Sequence, residues 1–565
     1  MIDTNKAVSP RAILLLCHFY PEAAGAIIDH IDAFRKFSEN EYFILSNLGD
    51  LPEWLDLSRF DAIVFHYSLI ACNDNYISPV GRKRIRDFQG FKAAFVQDDY
   101  RWINDTVNAL AYMRINALFP LTNPDIMDAI YDPAKLTGVR RETVLAGYVP
   151  QSLVELKVKP FCERAMDVVY RARKLPAWMG SHTLQKWQIA DRFSKDAPRY
   201  GLKVDLSYCE EDRIYGEQWI DFVANSRATL GTESGASVCD FTGTIQLNVE
   251  AHEKKYLDAD FETLRDLYFK DEDCKILMNV ISPRCFEAAA LRTLMILYEG
   301  TYSGVLKPWR HYVPLKLDHS NMDEVARILA LPEEAQKIVD QAYNEVAKNV
   351  DYSYAAMVRL VDRVMTEEWP IDLEPASNLF FKKEFDWLVA HNPQIIENIN
   401  TVKTEKAILY PASAFLVPVN VSPEAFEKFR LSLGASLQLG AVAIRWNAFG
   451  SGVTTHFILR GLSGRKVQFV QEVINANGTD FQIINFSTKT LAVDSLEVCS
   501  SVEGTQGLFQ PLYVAVLGKV KVVPILKRVA AWGLAYLWQL LPDGVRSTFR
   551  PIVRPIRIRL KGLFK

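Results

Sequence analysis

The residues best suited to chemistry lie in Ser282-Pro283-Arg284-Cys285-Phe286-Glu287-Ala288-Ala289-Ala290, a run that sets an arginine and a glutamate three positions apart. Ser282 suits an N-cap and Pro283 the first helical position, so the spacing predicts a helix opening there. Phe286, Ala289, Ala290 and Thr293 then share one face, small enough to press on a sheet. Arg284 and Glu287 share another face near the helix N-terminus, an end that favours anions. There an arginine can grip a phosphate or carboxylate, and a glutamate can accept hydrogen bonds from two ribose hydroxyls. The same spacing also describes a plain surface ion pair on an amphipathic helix.

The run resembles the donor-nucleotide helix of GT-B glycosyltransferases, above all the spore-maturation-type glycosyltransferase-like family, whose pattern is Arg-x-Phe-Glu-Ala-x-Ala. The segment that follows, Glu299-Gly300-Thr301-Tyr302-Ser303-Gly304-Val305-Leu306-Lys307-Pro308-Trp309, resembles glycosyltransferase-like proteins of bacterial surface-polysaccharide clusters. The resemblance implies that Glu287 contacts the nucleotide ribose. It also implies that an arginine and a lysine after the first strand of the second unit, here Arg173 and Lys186, hold the donor diphosphate. Two positions depart from the family pattern: Arg292 stands where a glycine is usual, and Asn279 where retaining members often carry a second glutamate. A retaining mechanism is therefore not implied.

Charge logic supports Arg173 and Lys186, because a diphosphate needs counter-charge where it becomes the leaving group. The alternative for Tyr170-Arg171-Ala172-Arg173-Lys174 is a solvated basic loop. In Gly231-Thr232-Glu233-Ser234-Gly235-Ala236-Ser237, small residues let backbone amides approach an anion, and Glu233 adds an acceptor for sugar hydroxyls beside Ser234. Plain turn chemistry also accounts for those glycines. On the acceptor side a transferase needs a base, and His18 and Asp98 stand at expected strand ends, with His66, His30 and His311 as further histidines of the right kind. Each histidine has a structural reading too, and Asp98-Asp99 suits a helix cap. No His-Glu-x-x-His spacing occurs, and neither a metal nor another cofactor is expected; no Gly-x-Gly-x-x-Gly follows the first strand.

Short apolar runs at 12–17, 42–45, 62–65, 93–96 and 117–119 alternate with helical stretches, as a parallel sheet covered on both faces requires. The rhythm restarts at 167–170 and continues through a helix at 184–193 and strands at 203–206, 228–230, 276–281 and 295–298, closing in helices to about 366. The expectation is an α/β protein of GT-B type, with a Rossmann-like acceptor domain at 1–155 facing a Rossmann-like nucleotide-sugar domain at 156–370 across a cleft. From about 400 to 505 alternating segments and a turn at 475–479 predict a small β-sandwich, placed with its helical connection at 371–510.

At 565 residues the chain needs several cores, and its composition is that of an ordered globular protein. Eight scattered cysteines read as reduced thiols of a cytoplasmic protein. Net charge is −3, but from 519 to 565 there are eleven Lys/Arg against one acid, which leaves about −13 on the first 518 residues. An acidic body speaks against nucleic acid as partner. The basic tail at 511–565 carries an apolar stretch at 529–541, too short to span a bilayer but suited to its interface. Through 524–565 it would meet an anionic membrane surface at the inner face of the membrane, or dock on the acidic body as a terminal helix.

The reading that joins these observations is a metal-independent hexosyltransferase-type enzyme. It would move a sugar from a nucleotide diphosphate to a saccharide or lipid-linked acceptor in bacterial surface-polysaccharide assembly. Its rivals are a sugar-nucleotide epimerase and a non-catalytic sugar-binding or assembly module. Neither the oligomeric state nor the sugar is legible.

Overall fold

A computed structural model describes residues 10–19, 25–369 and 382–392, and strands with their flanks between 394 and 520. The chain divides into two compact units, one of residues 1–51 and 55–380, the other of 52–54 and 381–565. The segment 524–565, on which the membrane expectation falls, lies outside the described residues. Among the described residues no helix is long and apolar enough to cross a membrane.

The first unit holds two parallel sheets. β1 (Ala12–Cys17), β2 (Glu41–Ser46), β3 (Ala62–Phe65), β4 (Phe91–Phe95), β5 (Ala117–Phe119) and β6 (Arg140–Arg141) run in the order β2-β1-β3-β4-β5-β6. β1, β3, β4 and β5 are buried along their whole length, which is why they read as continuous apolar runs rather than alternating ones. The second sheet is β7 (Met166–Arg171), β8 (Val204–Ser207), β9 (Ser226–Gly231), β12 (Leu294–Tyr298) and β13 (Val313–Leu315), ordered β13-β12-β9-β7-β8. Each has its own core. The helix Tyr354–Glu367, late in the chain, returns to the first sheet, where Met357, Val358, Val361 and Val364 pack with Ile13, Phe34 and Phe91. Burying each of those side chains contributes roughly 1.5–3 kcal/mol, so the two halves are joined through a shared core.

One expected strand changes partners. The run at 276–281 was expected to continue the parallel series; instead β11 (Met278–Val280) pairs antiparallel with β10 (Ser234–Ala236) as a separate ribbon. Gly235 permits it: at φ +111° a Cβ there would lie 1.8 Å from the Met278 carbonyl oxygen. Only glycine lets the two backbones meet so closely.

The second unit also differs from expectation. The sequence predicts a small β-sandwich; the described strands are joined by hydrogen bonds into one curled sheet, antiparallel apart from its first pair. The 21-residue strand Lys428–Ala448 pairs with Val493–Ser500 early, with Phe481–Asn485 late, and with Phe509–Val520 along its second half. Register shifts at 432–437 and 439–441 let it bend from one partner to the next. Pairing continues to Val520, past residue 511 where the sequence placed the start of the tail.

Candidate functional site

The helix forms as its sequence requires, over Pro283–Ala290, with Ser282 extended at the N-cap (φ −79°, ψ 141°). The Ser282 hydroxyl makes no capping bond, so the first amides of the helix are not covered by it. Phe286, Ala289 and Ala290 are buried against Met295, Leu297 and Tyr302. Thr293 lies beyond the helix, where its hydroxyl accepts from the Arg164 guanidinium (2.8 Å) and donates to the Val223 carbonyl (3.0 Å). The other face opens on a cavity of about 380 Å³, whose opposite side is closed by Gly25 and Ala26 from the first half.

Arg284 and Glu287 do not pair with each other. Glu287 Oε2 accepts the indole N–H of Trp219 at 2.7 Å, and the Arg284 guanidinium lies 4.6 Å above the same ring while donating to the Arg171 carbonyl. Oε1 of Glu287 has no hydrogen-bond partner among the described residues. Burial raises the Glu287 pKa above the ordinary carboxylate range, against the opposing pull of the Trp219 N–H and of Arg284. Burial also pushes the neighbouring Cys285 thiol up to about 12, so that thiol is no nucleophile at neutral pH.

Arg173 and Lys186 line the same cavity. Neighbouring basic residues are already engaged: Arg171 pairs with Asp205 at 2.8 Å, and Lys174 lies over the rings of Trp187 and Tyr208. Arg173 is exposed and has no hydrogen bond or ion pair among the described residues. Lys186 Nζ donates to Ser234 Oγ at 3.0 Å, which joins two residues expected of the donor site. Desolvation, with Arg284 and Arg173 nearby, lowers the Lys186 pKa to about 8. Three cations therefore converge with no carboxylate bonded to any of them.

A second cavity of about 360 Å³ adjoins the first and shares with it Arg173, Leu175, Lys186 and Pro283. Its far wall is the turn after β4, with Asp98, Tyr100 and Arg101, and its floor includes Trp178. Asp98 is exposed and accepts from the Tyr100 hydroxyl at 3.0 Å. Asp99 points the other way: fully buried, it accepts from the Leu121 amide (2.8 Å) and the Tyr131 hydroxyl, and burial lifts it to about 7. Neither aspartate caps the next helix, Ile103–Met113, whose N-cap residue is Trp102.

Other candidates fall elsewhere. Glu233 lines neither cavity; its carboxylate accepts from Asn279 Nδ2 (3.1 and 3.2 Å), Thr301 Oγ1 (2.9 Å) and the Tyr302 amide (2.6 Å), so it fastens the 300–302 loop. His18 stands at the end of β1, its amide bonded to Ser68 Oγ, and lines neither cavity. His66 and His30 are buried against each other (Nε2 to Nδ1, 3.0 Å), and the Ser68 amide donates to His66 Nδ1. Burial lowers both, His30 to about 3, so the pair is neutral. His311 is buried against Glu345 at 2.9 Å. Among the described residues no cluster of three or more His, Cys, Asp or Glu stands ready for a metal ion. Trp219, Arg101 and Trp178 were not singled out as site residues from the sequence; the one available signal was aromatic residues beside turns that also carry arginine.

No protein-family model matches the chain, and no curated protein matches it. Among solved structures it is similar to Anabaena HepE in complex with UDP, at 10% identity and TM-score 0.37 over 63% of this chain and 100% of that one. An α-glucosyltransferase in complex with UDP-glucose and abasic-site DNA shows 8% identity and TM-score 0.38 over 63% of this chain and 100% of that one. An E. coli trehalose-6-phosphate structure bound with UDP-2-fluoro glucose shows 8% identity and TM-score 0.36 over 62% and 98%. Likeness at that level carries no argument about function, which rests on the residues of the cleft.

Proposed function

We propose that the chain is a GT-B-type glycosyltransferase whose first cavity holds the nucleoside diphosphate of a sugar donor. The observation that carries this reading is the meeting of Arg173, Lys186 and Arg284 at one cavity with no carboxylate bonded to them, beside a helix N-terminus and a half-buried Glu287. The cations would neutralise the diphosphate as it leaves, and this chain's own side chains could do that work without a metal. Glu287, steadied by Trp219, would accept from the ribose hydroxyls through its open Oε1. The second cavity would hold the transferred hexose and the acceptor hydroxyl, with Asp98 as the base; His18 would act there only if the first strand end moves toward the cleft. A saccharide or lipid-linked acceptor of surface-polysaccharide assembly suits this reading, and the basic segment 524–565 would bring the enzyme to an anionic membrane surface.

A thermal-shift screen against UDP-, GDP-, dTDP- and CMP-sugars tests the donor site, since a ligand of the folded state raises the melting temperature. One nucleotide class is expected to shift it, and Glu287→Ala to reduce that shift. No shift at millimolar ligand would remove the donor reading.

A further inference from the structure

Arg101 enters the second cavity from the half of the molecule opposite Lys186. Its guanidinium lies 3.8 Å above the Trp102 ring and 5.5 Å from that of Trp178, with its side chain only 23% exposed. The nearest carboxylate oxygen, on Asp98, is 3.9 Å from Nη1, beyond hydrogen-bond reach. Its Nε is buried without a partner, and none of its five N–H groups makes a hydrogen bond among the described residues. Buried guanidinium groups are otherwise found forked onto carboxylates, phosphates or carbonyls, because leaving the donors unmet costs the full desolvation of a charge.

The side chain is held there rather than left there. The turn is stitched to the second half by the Asp240 amide on the Tyr100 carbonyl (2.8 Å), the Ile103 amide on the Asp240 carbonyl (3.3 Å) and the Asn104 amide on the Phe241 carbonyl (2.9 Å). Gly243, at φ +76°, leaves room for the Trp102 ring, which a Cβ would meet at 2.5 Å. Asp99 anchors the same turn from beneath. Arg101 lines only the second cavity and Arg284 only the first, with Arg173 and Lys186 between them on both.

We infer that the second cavity receives an oxyanion, a carboxylate or phosphate carried by the transferred sugar or by the acceptor, and that Arg101 is the residue that selects it. The inference extends the proposed donor and acceptor reading and rests on it for the placement of sugar and acceptor. Planar bidentate recognition suits guanidinium, and Trp102 and Trp178 hold its plane in place beside the cavity. Asp98, beside it, would repel a misplaced anion and leave the hydroxyl to be activated as its own share of the site.

Calorimetric titration of the full chain decides it, with two sets of probes. UDP-glucuronate against UDP-glucose reports an anion on the transferred sugar. Methyl glucuronide and glycerol 1-phosphate against methyl glucoside, without nucleotide, report an anion on the acceptor. The expected result is at least a tenfold preference for the anionic member in one arm, abolished by Arg101→Gln and partly kept by Arg101→Lys, with thermal melts confirming that both variants fold. A preference in the second arm alone, with no binding of any nucleotide, would sink the donor reading and leave this inference standing. Equal affinity for charged and neutral probes in both arms, or a preference that survives Arg101→Gln, overturns it.

Discussion

The cleft and the interior of the first half use similar side chains to opposite ends. His30, His66 and Asp99 direct their polar atoms at one another or at neighbouring amide and hydroxyl groups. Arg173, Lys186 and Arg284 at the first cavity, and Arg101 at the second, instead make few or no hydrogen bonds to the chain and none to a carboxylate among the described residues. A satisfied buried group stabilises or specifies a fold; a buried donor left unmet is a cost that a ligand can offset. Unmet hydrogen-bonding capacity, more than residue type, separates site from scaffold here.

The contrast is broken most directly at the cation cluster. Each charge-assisted contact to a diphosphate is worth roughly 1.5–3 kcal/mol, so Arg173→Ala with Lys186→Met should weaken nucleoside diphosphate binding by about 100-fold or more. The same pair should leave the ligand-free melting temperature unchanged or raised, because repulsion is relieved. A lowered melting temperature with intact affinity would move both residues to the scaffold.

Glu287→Ala should cost about tenfold in nucleotide affinity, while Glu287→Gln recovers part of it, since an amide oxygen can still accept from Trp219. Equal affinities of Ala, Gln and wild type in calorimetry would leave the carboxylate with only its Trp219 bond.

The scaffold side is sharpened by acid. His30 and His66 have folded pKa values below the unfolded value of about 6.5, so what they contribute is present above that pH and lost as pH falls through it toward the folded values. The loss runs at up to about 1.4 kcal/mol per pH unit for each ring. Asp99, raised to about 7, acts oppositely between roughly pH 4 and 7: its buried charge destabilises as pH rises. The clean readout is therefore a difference. His30→Phe, seated among Phe34, Tyr67 and Phe95, should be less stable than wild type at pH 7 in urea melts and close that gap by pH 5. A gap independent of pH would show that His30 is not held neutral.

Arg292 gives the smallest effect. It occupies φ +51°, the left-handed region that favours glycine, and its guanidinium sits 3.8 Å over Tyr343. Arg292→Gly relieves about 1 kcal/mol of strain and loses a cation–π contact of similar size, so the net change should stay within about 0.5 kcal/mol.

Local chemistry was legible where it decided the outcome locally. The strands at 62–65 and 117–119 and the helix from Pro283 follow from apolar runs and a Pro-marked start. Arg173, Lys186, Ser234, Arg284 and Glu287, singled out by type, place and resemblance, line one or other of the two cavities. What escaped was set by distant partners. Glu233 looked like a sugar ligand until the 300–302 loop, nearly 70 residues on, took its oxygens. The ribbon of 234–236 with 278–280 needs the Gly235 contact across more than 40 residues. Trp219 and Arg101 gain meaning only from Glu287 and Trp178, which no periodicity brings near.

The central claim is that the Arg173–Lys186–Arg284 cluster binds a diphosphate. Lys186, held near 8 in the free protein, should be protonated by that binding. Calorimetry of UDP, GDP and dTDP at pH 7 and pH 9, in buffers of different ionisation heat, measures it. The account predicts that one of them binds, with little proton uptake at pH 7, uptake approaching one proton and weaker affinity at pH 9, and no such uptake in Lys186→Met. Absence of binding by all three at millimolar concentration, or uptake at pH 9 that persists in Lys186→Met, would contradict it.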